Sequence, residues 1–278
     1  MFYYSKLSLY CFLMVWNTVQ PGKFVYLNNP EKIYSSGLVM EHRFKEESKN
    51  KFFFHYINKT NRNIKFNIYS SFVSNASFGL NTDKDPGKAG SKSIISFLKN
   101  KQLDGEIKKT LNLKPNETVS GSLEGNFKKD SIFKIAFDNS IKKINNVLMI
   151  DDDWKKVYNF QIFDTAIHRL GENPPNDING QYGYEVCLNL DVKKTGILKM
   201  SYSPRGGSGN IIFKYNDKIY ESGFKKAYTR NDFLYIKVQK NENHKFFFYP
   251  IGGIDYPIEI RFDILVPSEY NIVWYGKL

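Results

Sequence analysis

Short runs of β-branched and aromatic residues recur from Lys23 to Leu265, each broken by a polar turn after roughly ten residues. Lys51–Ile57 stops at Asn58-Lys59-Thr60-Asn61, and Ile64, Phe66 and Ile68 then alternate with Lys65, Asn67 and Tyr69. A period of two is what a half-buried strand shows. The short polar link predicts a hairpin between these two strands. Tyr184, Val186, Leu188 and Leu190 repeat the alternation, and Leu111–Ser120 reads as strand, proline turn, strand. Ile211–Tyr215 and Lys218–Tyr220 flank Asn216-Asp217, a pair that tolerates the positive φ of a type I′ hairpin turn. Asn75–Gly90 reads as a loop and Ser93–Leu98 as a further apolar strand. Only Asn139–Met149 carries helical spacing. No βαβ rhythm intervenes. The fold expected is all-β with little helix: two antiparallel β-sandwich domains of jelly-roll or immunoglobulin-like type, residues 23–149 and 150–278. The division falls at Asp151–Lys156, an acidic-to-basic run.

Composition narrows the function class. An aromatic content of 16%, with 23 Phe and 19 Tyr, excludes a disordered polymer. Two cysteines, Cys11 and Cys187, cannot build a disulfide framework or a cysteine-rich zinc module. Forty Lys and Arg against 28 Asp and Glu give a net charge of +12, which suits anionic surfaces and polymers. The lysine pairs are scattered through strands and turns, with no continuous basic helix, so no specific nucleic-acid partner is expected. No apolar stretch of about 18 residues is present, and no transmembrane helix is expected. Leu7–Trp16 is apolar and follows Lys6, which fits the core of an export signal over residues 1–22, although no small-x-small cleavage site follows. The expected location is therefore extracellular or at the cell surface.

Candidate chemistry is sparse. His42, His55, His168 and His244 lack metal-ligand spacing, and His55 and His244 read as satisfied structural histidines within aromatic strands. No Gly-x-Ser-x-Gly elbow is present, and Cys187 reads as a strand filler. No catalytic residue, metal site or cofactor is assigned. Asp151, Asp152 and Asp153 offer oxygens to Ca²⁺ but lack the EF-hand spacing and its distal Glu. Pro204–Asn210 is the most distinctive local sequence. Its glycines can form an anion-binding nest beside the Arg205 fork. Arg205, Gly206 and Gly207, with the nearby basic residues Lys214 and Lys218, form the candidate binding set. The structural alternative has Arg205 pinning a tight turn. Asp164, Glu172 and Glu185 are acidic but form no recognisable constellation for sugar hydrolysis.

The order of several segments resembles a family of exported β-sandwich proteins of Gram-positive bacteria, often labelled through an attached copper amine oxidase N-terminal-type domain. The segments are Asn28–Glu31, Phe52–Asn58, Pro86-Gly87-Lys88, Leu113–Glu117, Ser203–Gly207 and Pro250–Ile258. The resemblance implies a β-sandwich and export, and no established catalytic activity. The oxidase label belongs to the neighbouring module and implies no copper chemistry here. The expected role is a non-enzymatic, envelope-associated binding or structural module that contacts glycans or anionic wall polymers. The alternative is a glycan-active hydrolase or lyase on the same scaffold.

Overall fold

The computed structural model describes residues 22–27, 31–100, 102–144, 149–172, 179–206 and 208–266. Residues 1–21 of the export-signal segment, Cys11 among them, and Gly207 lie outside them. The first nine strands are β1 (Phe24–Leu27), β2 (Lys32–Ile33), β3 (Gly37–Arg43), β4 (Ser48–Asn58), β5 (Ile64–Asp83), β6 (Leu103–Leu113), β7 (Thr118–Phe127), β8 (Ile132–Phe137) and β9 (Met149–Asp151). Helix α1 (Pro86–Lys99) lies between β5 and β6. The strands form one sheet in the order β3-β8-β5-β7-β4-β1-β9, with β2 beside β4 and β6 beside β5.

The expected hairpin between 51–57 and 64–69 does not form. β4 pairs with β7, β1 and β2, whereas β5 pairs with β6, β7 and β8. The chain instead arches across a core. Phe54 and Phe66 meet with ring centroids 5.5 Å apart, and Tyr56 meets Phe137 edge-on at 5.7 Å. Asn58 holds the arch. Fully buried, it donates from Nδ2 to the Arg62 and Leu113 carbonyls, both at 3.0 Å, and accepts from the Thr60 N–H at 2.9 Å.

The expected 75–90 loop is strand as far as Asp83, and Ser93–Leu98 belongs to α1. Asp85 caps α1 by accepting from the Lys88 N–H at 3.2 Å, and Pro86 opens it, where its missing N–H costs nothing. Residues 139–144 of the segment with helical spacing are turn and bridge, and 149–150 begin β9. Residues 145–148 lie outside the described residues.

The remaining strands are β10 (Lys155–Ile162), β11 (Thr165–Leu170), β12 (Glu185–Val192), β13 (Gly196–Pro204), β14 (Ser208–Gly209), β15 (Ile212–Tyr215) and β16 (Lys218–Glu221). They end with β17 (Lys225–Lys226), β18 (Asn231–Val238), β19 (Asn243–Phe248) and β20 (Ile258–Leu265). Their sheets run β10-β12-β19-β15-β16, β11-β20-β13-β18 and β14-β17. The β15–β16 hairpin forms as expected, with Asn216 and Asp217 at φ 47° and 60°. The chain is thus nearly all β, with one α-helix among the described residues. It is not wholly antiparallel: β1 and β2 run parallel to β4, and β10 runs parallel to β12.

One face of β4 and β7 closes the arch core through Phe52, Phe54, Tyr56 and Leu123. The other face joins a second core. Phe24, Tyr26 and Phe53 from the first sheet, and Ile94, Phe97 and Leu98 from α1, pack with Tyr184, Leu188, Phe213 and Phe248. Helix α1 lies tight on β5, where a Cβ on Gly79 would come within 2.0 Å of the Ser93 carbonyl oxygen. That close packing brings the first turn of the helix to the loop between β19 and β20.

Candidate functional site

A cleft of about 330 Å³ opens where these elements meet. Its lining comes from Tyr26 on β1, Glu31 before β2, Pro86 at the start of α1, Tyr182, and the 252–255 stretch of the β19–β20 loop. Backbone bonds fix each part. The Glu31 carbonyl accepts from Ile57 of β4 at 2.9 Å, and the Pro250 carbonyl accepts from the Gly183 N–H at 2.9 Å. The Tyr182 hydroxyl donates to the Ile254 carbonyl at 3.1 Å, and the Tyr256 hydroxyl accepts from the Ile251 N–H at 2.9 Å. Gly253 has φ 81° and sits so close to Pro86 that a Cβ would lie 2.5 Å from the Pro86 carbonyl carbon. Both the backbone angle and the space require glycine there.

Tyrosine forms one wall. Tyr26 and Tyr182 stack at 6.2 Å with 11° between their planes, and Tyr256 meets Tyr182 edge-on at 5.4 Å. Burial, helped by Asp255 and Glu31, pushes the Tyr182 hydroxyl up to about 12, so it stays protonated and remains a donor. Burial also raises the Glu31 carboxyl, and Lys32 opposes that only in part. Behind the cleft lies His55, 1% exposed, with Nε2 3.6 Å from the Glu31 carboxylate. Neither ring nitrogen has a hydrogen-bond partner, and burial drives the imidazole down to about 4. His55 is therefore neutral at neutral pH. The expectation of a satisfied structural histidine is corrected by these two unpaired nitrogens. Gly252 presses on the ring, since a Cβ there would lie 2.7 Å from Nδ1. The arrangement offers a half-buried tyrosine ring, two carboxylate acceptors and exposed backbone, as sites for small polar ligands do.

Three of the six segments that suggested a family resemblance supply residues that line this cleft. Glu31, Pro86 and the 252–255 loop line it, and His55 lies behind. The Arg205 N–H donates to the Pro257 carbonyl at 3.1 Å, and the Asp255 N–H donates to the Ser208 carbonyl at 3.3 Å. A Cβ on Gly206 would lie 3.0 Å from that of Asp255.

The candidate binding set does not gather in one place. The Arg205 guanidinium is committed to the Glu259 carboxylate, whose other oxygen meets Arg230 Nη2 at 3.4 Å. Burial would raise Glu259, but the two guanidiniums hold it below the usual carboxylate range. Lys214 and Lys218 stand on the β15–β16 hairpin, with Lys214 paired to Asp217 at 2.6 Å. Arg205→Ala is expected to lower the unfolding free energy by about 1–2 kcal/mol, as loss of a charge-assisted, partly exposed hydrogen bond does. Arg205→Lys should recover part of that loss. Urea denaturation of both variants checks this, and an unchanged midpoint for Arg205→Ala would show that Arg230 alone suffices.

Asp151 accepts from the Tyr184 hydroxyl, Asp152 pairs with Lys23, and Asp153 lies 3.9 Å from Lys156. Among the described residues, no group of three or more His, Cys, Asp or Glu side chains is placed to hold a metal ion. Asp164 pairs with Lys194, Glu172 with Arg169, and Glu185 accepts from Tyr249, so these three acids are engaged with separate partners. Cys187 is buried on β12, where burial raises its thiol. No described helix is long and apolar enough to cross a membrane.

No protein-family model and no curated protein matches the chain. Among solved structures, a multicopper oxidase from Campylobacter jejuni overlaps 72% of this chain and 48% of its own, at 13% identity and a TM-score of 0.14. The 2F4 variant of McoA multicopper oxidase from the hyperthermophile Aquifex aeolicus overlaps 74% and 50%, at 12% identity and 0.17. Fet3p, a multicopper oxidase that functions in iron import, overlaps 73% and 50%, at 8% identity and 0.17. The chain spans about half the length of these structures, and TM-scores this low carry no argument about fold or activity. A functional reading therefore rests on the cleft itself.

Proposed function

We propose that this protein is a non-enzymatic, exported or envelope-associated binding module, built as two packed β-sandwich halves, that seats a glycan unit in the tyrosine-walled cleft. The observation that carries the reading is the stacked pair Tyr26–Tyr182 beside the Glu31 and Asp255 side chains in one concavity. A sugar ring presents C–H groups to aromatic rings and hydroxyls to carboxylates and backbone carbonyls, and the cleft places the half-buried Tyr182 ring beside such acceptors. Tyr182→Ala should weaken binding of a neutral oligosaccharide by about tenfold or more, the effect expected for an aromatic anchor. Screening the full chain against a panel of neutral oligosaccharides, then titrating the best binder into both proteins, checks it. Equal affinity for the two would remove the cleft as the site.

The hydrolase reading has one specific observation in its favour. Burial raises the Glu31 carboxyl, the direction a general acid calls for, and Glu31 shares the cleft with a second carboxylate, Asp255. Incubating the bound oligosaccharide with wild type, Glu31→Gln and Asp255→Asn separates the two readings. The binding module leaves the sugar intact in all three. Cleavage by wild type alone would make the protein an enzyme.

A further inference from the structure

A second concavity, of about 340 Å³, lies where the β15–β16 hairpin meets the start of β19. Phe246 and Phe248 of β19 are fully buried, so by strand alternation Lys245 and Phe247 point to the opposite face. Lys214 of β15 is the register partner of Phe247, which makes Lys245 its diagonal neighbour on that face. Asn216, in the hairpin turn, and Asn243 add their amides to the same lining.

The two lysines are in different electrostatic states. Lys214 Nζ is held 2.6 Å from Asp217, whose own side chain is 93% exposed at the tip of the turn. Lys245 has no carboxylate within ion-pair distance among the described residues. His244 is fixed beside them, with Nδ1 2.9 Å from the Tyr215 hydroxyl. Its Nε2 is buried without a hydrogen-bond partner and stands 3.4 Å from Glu242. One cation is thus covered by an exposed carboxylate from its own turn, and the other is uncovered.

We infer that this concavity binds a tetrahedral oxyanion, the phosphate or sulfate group of a larger ligand. Lys245 and Lys214 act as its charge partners, Asn216 and Asn243 as neutral donors, and Asp217 as the internal competitor that the ligand displaces. Such a group can take donors from both strands and the turn at once, which a single carboxylate covers less well. Asp217 is 93% exposed, so the ligand meets it directly from solvent. The inference is independent of the glycan cleft, with which this concavity shares no lining residue.

The test titrates the full chain with inorganic pyrophosphate and, in parallel, with a sulfated tetrasaccharide, by calorimetry at low salt. Lys245→Gln and Lys214→Gln should each weaken binding by about fivefold, and both probes should bind less tightly as salt rises. Asp217→Asn keeps the side-chain shape and tolerates the positive φ of the turn, so it should tighten binding by about threefold. Tyr182→Ala should leave the pyrophosphate titration unchanged. Tighter binding of pyrophosphate would assign the ligand to the phosphate class, and tighter binding of the tetrasaccharide to the sulfate class. No saturable binding of either probe by wild type would overturn the inference. So would Lys245→Gln and Asp217→Asn variants that bind as wild type does.

Discussion

Replacing Glu124 with alanine is expected to destabilise the fold by about 3 kcal/mol, the range seen when one partner of a buried ion pair is removed. Glu124, on β7, collects three lysines: Lys49 at 3.0 Å, and Lys51 and Lys155 each at 3.9 Å. Lys51 is the decisive one. Its side chain is 2% exposed and its ammonium lies 5.1 Å from the centre of the Phe97 ring, so without Glu124 a buried charge loses its nearest carboxylate. Lys155 reaches on to Glu185 of β12, which accepts from Tyr249, and the network therefore spans the joint between the first sheet and the second half.

The two partners titrate in ways that locate the cost. Burial would raise the Glu124 carboxyl, yet Lys51, Lys49 and Lys155 outweigh burial and hold it below the usual carboxylate range. Burial lowers the Lys51 ammonium despite the carboxylates, so its charge is a burden to the fold near neutral pH. Lys51→Met should accordingly be neutral or mildly stabilising, opposite to Glu124→Ala. For Glu124 the folded pKa is depressed. Its contribution is present above the unfolded carboxylate value of about 4.3 and is lost as pH falls through the folded value. Denaturation midpoints measured from neutral to acidic pH should fall more steeply for wild type than for Glu124→Ala. Parallel curves for the two proteins would mean that the network carries no net attraction.

Strand identity was legible wherever one face of a strand is solvated. Glu185, Asn189 and Asp191 alternate with buried Val186, Leu188 and Leu190, and Asn216-Asp217 announces its hairpin. The arch at Asn58 was not legible, because polar turn residues serve a hairpin and an arch equally. What separates the two is whether Phe54 and Phe66 are neighbours in one layer or face each other across a core, and that is a tertiary fact. Helix α1 carried its own signals in Asp85, Pro86 and Lys99. Gly87 and Gly90 masked them, since glycine weakens a helix locally and is retained here for close approach. The cleft was the least legible part. Glu31, His55, Tyr182 and Asp255 come from distant stretches of chain, and no spacing rule connects them. Of the six short segments quoted for the family resemblance, three supply cleft-lining residues: Glu31, Pro86 and the 252–255 stretch.

Gly90→Ala is the substitution in which local and tertiary effects oppose each other most directly. Within a helix, alanine is favoured over glycine by about 1 kcal/mol. A Cβ on Gly90, however, would lie 2.5 Å from the Gly252 carbonyl oxygen and 3.3 Å from the Ile251 Cβ. The nearer contact is backbone, so it cannot be relieved by a rotamer change; either the helix lifts or the 250–255 loop retreats. The helix has little freedom, because Gly79 of β5 already admits Ser93 and Phe97 at their closest approach. Overpacking of this kind costs about 1–3 kcal/mol, enough to exceed the helical gain. Gly90→Ala is therefore expected to be less stable than wild type by about 1 kcal/mol, while Lys88→Ala, exposed in the same helix, stays within about 0.5 kcal/mol. Gly252 and Asp255 both line the cleft, so a displaced loop should also weaken oligosaccharide binding, by about tenfold. Urea denaturation and oligosaccharide titration of the two variants measure both quantities. A Gly90→Ala protein that is more stable than wild type and binds sugar equally well would show that the loop is not clamped by the helix, and that the cleft owes its shape to the His55 side alone.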